Sequence, residues 1–555
     1  VSSFDVFAGA RKSASVIVLR DAAAGGIEVL MLRRAERDND MRSGAAVFPG
    51  GMLDARDRDA HPHCIGWDDA AASARLGLAQ GGLDYMVAAA RECFEEVGLL
   101  FGGGAGGDAL APRLQEAHAQ WRGPLQRGEQ PIEALCRALG LSVDLRGWFY
   151  WSHWLTPPGH PKRFDTRFFV TRAPQGQEAE ADYGEAVELM WLTPAQALAR
   201  DSGLLLLPVT RRTLQQISRF DNVQAALDHA AALREVPMTM PRRARNAKGD
   251  LRIVLPDEHA YAEVALLDPA GESGALGEIV PGRAVRLTPR VWRVTAPNAS
   301  MMTGPGTNTY FVGDPVHNAW TVIDPGPAGE PHLQALLAAA PGPIERILVT
   351  HTHVDHSPGA AALAAATGAP VLGRRALHGV GQDASFAPDG ELVGGERFEL
   401  GGGTTLQAVH TPGHASNHLC YLLPEEKMLF TGDHVMQGST VVINPPDGDM
   451  TAYFKALEGL FALDLDWFAP GHGFLVTKPH DVVRALLAHR LAREDKVVVA
   501  LSVHAPATVD ALVPMVYADT PPALHALARR SLLAHLLKLQ GEGRAKLEDE
   551  RWRLA

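Results

Sequence analysis

The chain has 555 residues, more than one hydrophobic core accommodates, so two or three domains are expected. A hydrophobic fraction of 46% and a charged fraction of 21% describe an ordinary globular protein, and a net charge of −12 argues against a polyanion-binding surface over the whole molecule. Four widely separated cysteines (Cys64, Cys93, Cys136, Cys420) exclude a disulfide scaffold. With no basic, apolar leader and no run of about 18 apolar residues, the reading is a cytoplasmic chain without a membrane partner.

Residues 14–19 and 27–32 read as two strands joined at Gly25-Gly26. Residues 47–54 (Val-Phe-Pro-Gly-Gly-Met-Leu-Asp) read as a strand breaking into a glycine turn, and residues 85–98 as a helix stopped by Gly98. On that helix Glu92, Glu95 and Glu96 sit at i, i+3 and i+4, so the three carboxylates share one face. Like charges so placed repel, and a cation among them relieves it. Oxygen-only ligands favour a hard ion, Mg²⁺ or Mn²⁺. A solvated acidic face is the plainer alternative for this motif taken alone.

The run Arg91-Glu92-Cys93-Phe94-Glu95-Glu96-Val97-Gly98-Leu99 resembles the second half of the Nudix box, Arg-Glu-U-x-Glu-Glu-x-Gly-U with U apolar. The position where the contiguous box has glutamate is Leu83, so the opening half is supplied by Gly51-x5-Asp57. Thirty-three residues then separate Asp57 from Arg91 where the box has seven, an insertion of 26. Such a split box is similar to the Nudix subfamily of coenzyme A diphosphatases, as are residues 30–34 leading to Phe48-Pro49-Gly50-Gly51, and residues 151–158 followed by 163–169. The resemblance covers about residues 12 to 200. It implies an α/β/α sandwich in which Glu92, Glu95 and Glu96 bind Mg²⁺ or Mn²⁺, with Glu95 and Glu96 catalytic, and a substrate that is a coenzyme A-like or other nucleoside diphosphate conjugate. Arg33 and Arg34 are candidates to meet phosphate or to be strand-end charges. Glu185 and Glu188 are candidates for an extra base or ligand, with surface charge the simpler role.

Residues 241–249 are basic and lack apolar periodicity, so a linker or surface loop is expected, while 251–255 and 261–264 look like short strands. The layout expected is a Nudix-like domain over 1–235, a linker region over 236–285, a second domain over 286–480 and a C-terminal module over 481–555.

In the second domain, residues 290–294, 309–312 and 320–324 read as successive strands. The apolar run Ile347-Leu348-Val349 then leads into Thr350-His351-Thr352-His353-Val354-Asp355-His356. His351 and His353 are two apart, so in extended backbone both rings project to one side, while Asp355 and His356 follow as the chain turns toward a helix near Ser357-Pro358. Imidazole and carboxylate together suit Zn²⁺, with Mn²⁺ or Fe²⁺ less favoured. Three further apolar runs end in His414, Asp433 and His472, each preceded by a glycine that lets the chain turn. His410 and His434 read as structural, His418 as a candidate substrate contact, and the glycine-rich stretch 301–309 as a border of the cleft.

Together His351, His353, Asp355, His356, His414, Asp433 and His472 resemble the complete pattern of a binuclear metallo-β-lactamase-fold hydrolase. The resemblance implies a four-layer αββα sandwich. His351, His353 and His414 would hold one Zn²⁺; Asp355, His356 and His472 would hold the other, with Asp433 bridging and Asp355 also catalytic. Residues 481–501 and 521–540 read as amphipathic helices and 551–554 as a short strand, a winged-helix-like module. From Met301 onward the chain is similar to lactamase-like endoribonucleases with such a tail, through Met302-Thr303, residues 306–310, His489-Arg490, Arg493-Glu494 and residues from Leu524. That likeness implies single-stranded RNA as substrate, and the glyoxalase II group implies a thioester. The tail has about as many acidic as basic residues and supplies no basic footprint; packing on the metal domain, or a homodimer, are its other roles. The competing class is a nucleic-acid-binding or regulatory protein with structural metals and a degenerate Nudix domain.

Overall fold

The computed structural model describes residues 5–34, 43–103, 110–181 and 186–555, which divide into two compact units, 1–241 and 242–555. In the first unit the strand Ala10–Asp21 is central to a mixed nine-stranded sheet. It runs antiparallel to Ile27–Arg34 and parallel to Arg163–Arg172, which pairs in turn with Phe149–Leu155. Residues 13–19 are all buried, as a strand covered on both faces requires. The helix Gly82–Val97 buries Leu83, Met86, Val87, Ala90, Phe94 and Val97 with Val16, Val18 and Leu30 of the sheet. Its first turn is capped by the Asp69 carboxylate, which accepts from the Gly81 and Leu83 amides at 3.0 Å each. It ends where Gly98 turns left-handed at φ 70°. The insertion between Asp57 and Arg91 is folded, carrying the 3₁₀ helix Ala55–His63 and the helix Asp69–Leu76.

The second unit opens with the hairpin of Arg242–Arg245 and Leu251–Val254, followed by the helix Tyr261–Leu267. Two expectations change here: the basic stretch after Pro241 forms a strand, and 261–264 is helical. The cause is long-range. Glu263 makes a buried two-bond ion pair with Arg293 at 2.6 and 2.8 Å, and Ala244, Val254 and Val264 share a small core. Neither contact has a local sequence signature.

A seven-stranded sheet from Ala284–Arg286 to Gly390–Glu391 then faces a six-stranded sheet from Arg397–Gly401 to Val476–Thr477. Tyr310, Val312, Ile323 and Leu348 of the first meet Leu406, Tyr421, Leu423 and Phe430 of the second in the central core. Alternate residues point outward. Phe311, Val322 and Ile347 lie under Leu336 and Leu363 of the helices Glu330–Ala339 and Gly359–Thr367. Cys420, Leu422 and Phe468 lie under Tyr453 and Leu457 of the helix Met450–Gly459. The period-two alternation of large apolar residues on these strands thus builds four layers, α/β/β/α.

The C-terminal segment folds as helices Pro479–His504, Val509–Val516 and His525–Gly541 and the hairpin of Ala545–Glu548 and Arg551–Leu554. Leu501, Leu512, Val516, Leu532, Leu536 and Trp552 make its core. The helix Val509–Val516 escapes the sequence pattern because it is only eight residues long and contains Pro514. All four cysteines are free thiols, and no helix of the described residues is long and apolar enough to cross a membrane.

Candidate metal centres

The strand Ile344–Leu348 ends before His351; His353 makes an isolated bridge to Gln382, and residues 354–356 form the turn that follows. The rings converge. His351 Nε2 and His414 Nε2 stand 2.9 and 3.0 Å from His353 Nδ1. A few ångströms on, Asp355 Oδ2 lies 3.5 Å from His356 Nε2 and 3.4 Å from His472 Nε2. Asp433 spans the two groups: Oδ1 is 3.4 Å from His356 Nε2 and 3.3 Å from His472 Nε2, while Oδ2 is 3.6 Å from His414 Nε2. The sets His351/His353/His414, Asp355/His356/His472 and His351/His356/Asp433 each place their donor atoms within 4.8 Å of one another. Seven residues from four chain segments meet there because sheet strands running side by side end at one edge.

The donor set fits a pair of divalent ions. His356 Nε2 and Asp433 Oδ1 are buried polar atoms without a hydrogen-bond partner, which is costly unless an ion completes them. Burial disfavours the His356 and His472 imidazolium forms, yet the carboxylates of Asp355 and Asp433 outweigh it, raising His356 well above its usual range and His472 to about 9. The site therefore attracts positive charge. His351 and His353 are held neutral by burial, reinforced by neighbouring histidines, with His353 pushed down to about 3. Gly471 leaves room that a side chain would take, since a Cβ there would sit 2.7 Å from Asp433 Oδ1 and 2.8 Å from His356 Cε1.

Second contacts set which ring nitrogen faces the centre. His414 Nδ1–H donates to the Val442 carbonyl at 2.8 Å and His472 Nδ1–H to the Gly306 carbonyl at 3.2 Å. His356 Nδ1 pairs with Asp324 Oδ2 at 2.8 Å. Asp324 also accepts from the Thr350 amide and hydroxyl at 2.7 Å each. Sequence reading assigned Asp324 no role; its one signal was a carboxylate at a strand end followed by Pro325-Gly326. The glycine-rich loop does border the centre, with Thr307 Oγ1 3.4 Å from Asp355 Oδ2. His418 is corrected. It is fully buried, shares a hydrogen bond with Thr411 Oγ1 and accepts from the Asp433 amide, so it cannot meet substrate. His410 and His434 are structural: the first contacts the Ser416 carbonyl, and the second is buried against His418 and Tyr453.

In the first unit Arg91 is the cation among the carboxylates. Its guanidinium reaches Asp57 at 2.8 Å, Glu92 at 2.9 Å, Glu95 at 3.2 Å and the Met52 carbonyl at 2.9 Å. Glu96 accepts from the Gly50 amide at 2.9 Å. The two halves of the split motif are thus adjacent in space despite the insertion. Asp57 is buried and forms a capping box with Asp54, so its part is to hold Arg91. Burial pushes Glu95 up to about 7 against the pull of Arg91. Glu92, Glu95, Glu96, Arg91 and Arg56 line a cavity of about 260 Å³. Gly51 is required by close approach: a Cβ there would lie 2.3 Å from the Glu92 carboxyl carbon. Arg33 pairs with Glu188 at 2.9 Å across neighbouring strands, which identifies both as surface charge; Glu185 lies outside the described residues.

A fold of this kind with converging histidines and aspartates, and a separate glutamate-lined α/β unit in the same chain, define two metal-dependent hydrolase domains. Family models match the metallo-beta-lactamase superfamily over residues 302–472, the beta-lactamase associated winged helix domain over 508–552 and the NUDT19 Nudix domain over 78–203. Among curated relatives, the "Beta-lactamase-like protein 2 homolog" of Drosophila melanogaster is 30% identical over 47% of this chain and 91% of its own length. An "Atrochrysone carboxyl ACP thioesterase" of Aspergillus fumigatus is 33% identical over 39% of this chain, and the match spans 66% of that protein. Of solved structures, a NUDIX hydrolase from Alicyclobacillus acidocaldarius is 29% identical, with 40% of this chain and 96% of that chain covered at a TM-score of 0.33. The chain belongs to the metallo-beta-lactamase superfamily, with a NUDT19-type Nudix domain ahead of it and a winged-helix tail behind.

Proposed function

We propose that the second unit hydrolyses an acyl thioester and that the Nudix unit cleaves the diphosphate of a coenzyme A-like conjugate. The observation that carries the thioester reading is the apolar border of the metal centre. Met301, Met302, Val354, Leu377 and Val380 are large apolar side chains left 49–77% exposed. Each belongs to a segment tied to a candidate ligand. Val354 adjoins His353, and Leu377 and Val380 lie in the loop whose Gln382 bridges His353 and whose Leu377 amide donates to Ser416. Met301 and Met302 precede Thr307, which bridges His472. Exposed apolar side chains on the segments that carry the candidate ligands suit an acyl chain better than a phosphodiester backbone. The thioesterase name of the Aspergillus relative supports the same reading.

RNA is the competing substrate, and the winged-helix tail is its best argument. That tail, over 508–552, carries six acidic and six basic residues. Of the basic ones, Arg529 pairs with Asp510, and Lys538 and Arg544 pair with Glu494 and Glu542. Half of the tail's basic residues are thus neutralised within it, and the rest are matched in number by acidic ones, which leaves no basic surface for phosphates.

In this reading His351, His353 and His414 hold one divalent ion, Asp355, His356 and His472 the second, and Asp433 both. Zn²⁺ is the ion the donor types favour. Bound there, the ions supply Lewis acidity toward the carbonyl oxygen and lower the pKa of water. Asp355, at the open side of the centre, is held ionised at about 2: burial raises it, but His356 and the His472 hydrogen bond outweigh that. Its Oδ2 faces His356 Nε2 and His472 Nε2, so the ionised carboxylate would serve as a ligand to the second ion. The products are a carboxylic acid and a free thiol. In the Nudix unit Glu92, Glu95 and Glu96 hold Mg²⁺ or Mn²⁺. Glu95, among these ligands, would help to activate the attacking water, releasing 3′,5′-ADP and 4′-phosphopantetheine when the substrate is coenzyme A.

The test is a paired assay on the full chain, with thiol release from decanoyl-coenzyme A against cleavage of end-labelled single-stranded RNA. Thiol release lost on His353→Ala is expected. RNA cleavage with an inert thioester would overturn the reading.

A further inference from the structure

The C-terminal helix Pro479–His504 carries Arg490, an arginine only 3% exposed whose side chain leaves the tail and enters the metal-binding domain. Its Nη2 donates a short hydrogen bond to the Val441 carbonyl, and its guanidinium lies 5.4 Å from the Tyr453 ring centroid. Both partners lead to His414. The carbonyl of the next residue, Val442, is the acceptor for His414 Nδ1–H at 2.8 Å. Tyr453 packs on Gly413, so closely that a Cβ on that glycine would sit 2.4 Å from Tyr453 Cα.

Residues 438–445 form no regular element, so no helix or strand hydrogen bonds hold the Val442 carbonyl in place. Side chains do that instead. Val441 and Ile443 are buried in a cluster to which Val483 and Ala534 of the tail contribute. A buried guanidinium on such a peptide costs desolvation, which its hydrogen bond and the aromatic face repay only in one geometry. That makes it a locating contact.

We infer that Arg490 is a positioning residue for the metal ligand His414, and that the tail is thereby part of the metal centre. Arg490 anchors the Val441 carbonyl and so fixes the start of Val442, whose own carbonyl keeps the His414 proton on Nδ1 and leaves Nε2 to face His351 and His353. Groups hydrogen-bonded to a metal ligand, as the Val442 carbonyl is to His414, typically change metal affinity roughly 10–100-fold when lost, and Arg490 acts through that carbonyl. The inference rests on the ligand assignment proposed above for His414, and is independent of which bond is hydrolysed.

The experiment is chelator-competition titration of Zn²⁺, with the visible spectrum of the Co²⁺-loaded protein as a second readout, on the full chain and on Arg490→Met, Arg490→Gln and Arg490→Lys. Two ions bound by the unaltered chain are expected. In Met and Gln variants the site of His351, His353 and His414 should weaken roughly 10–100-fold with an altered Co²⁺ spectrum, the other site staying near its original affinity. Lys, which keeps a donor and the charge, should recover most of the loss. Leu532→Ala, in the tail core, is the control for destabilisation alone: it should lower the melting temperature and leave both affinities unchanged. A folded Met or Gln variant with both ions at the original affinity would overturn the inference. So would an equal loss in Leu532→Ala. If the unaltered chain binds no transition ion, the ligand assignment itself fails.

Discussion

Asp324→Asn is the sharpest probe of the metal centre, because it changes a proton pattern and almost no volume. Asp324 is 2% exposed and accepts three contacts, from the Thr350 amide on Oδ1 and from Thr350 Oγ1 and His356 Nδ1 on Oδ2, all within 2.8 Å. An ionised carboxylate only accepts, so it holds a proton on His356 Nδ1 and leaves Nε2 to an ion. In the asparagine an NH₂ replaces one oxygen and faces donors. Flipping the amide moves the clash onto the Thr350 N–H. The cheapest relief is for His356 to move its proton to Nε2, toward Asp355 and Asp433, where it competes with the ion. Loss of a charge-assisted hydrogen bond is worth about 1.5–3 kcal/mol, in line with a 10–100-fold fall in affinity. Ion stoichiometry by elemental analysis and affinity by chelator competition measure it, with circular dichroism as the check on folding. A folded Asp324→Asn protein that keeps both ions at the original affinity would refute this account.

Three further outcomes follow from other parts of the chain. Gly51→Ala should abolish diphosphatase turnover with little change in melting temperature, since the new Cβ displaces the flexible Glu92 carboxylate and not backbone; a large loss of stability instead would show the clash is taken up elsewhere. Glu494 in the tail is held at about 2, because hydrogen bonds from His535 and Lys538 outweigh its burial. A depressed carboxylate stabilises the fold above its unfolded value of about 4.5 and loses that contribution as pH falls toward 2, on the order of 3 kcal/mol in all. Urea midpoints from pH 6 to pH 2.5 should therefore fall less steeply in Glu494→Gln, and parallel curves would contradict it. Finally, stripping metal with a chelator should lower the melting temperature of the second unit. Added Zn²⁺ at about 100 times its dissociation constant should restore roughly 2.7 kcal/mol.

Both candidate metal-binding clusters could be picked out in the sequence, the histidine-rich one because its residues have few other uses in that pattern. Histidines and aspartates at successive strand ends state metal chemistry before any fold is known; three glutamates on one helix face do so only with the Nudix-like residues around them. Residues 309–312 and 320–324 likewise read as strands from their local composition, while the paired sheets were implied only by the resemblance. What local spacing could not carry was whatever depends on a distant partner. The helix at 261–267 follows from Arg293 drawing Glu263 into the interior. His418 looked available to substrate until the Asp433 amide and Thr411 were seen to claim both its nitrogens.

The His351–His356 stretch shows the division most clearly. Its composition states metal chemistry, but the orientation of the candidate ligand rings is decided elsewhere: Asp324 orients His356, and the carbonyls of Gly306 and Val442 orient His472 and His414. Ligand identity is a property of side-chain chemistry, which sequence states directly. Ligand orientation is a property of hydrogen bonds closed across 28 to 166 residues of chain, and only the tertiary fold closes them.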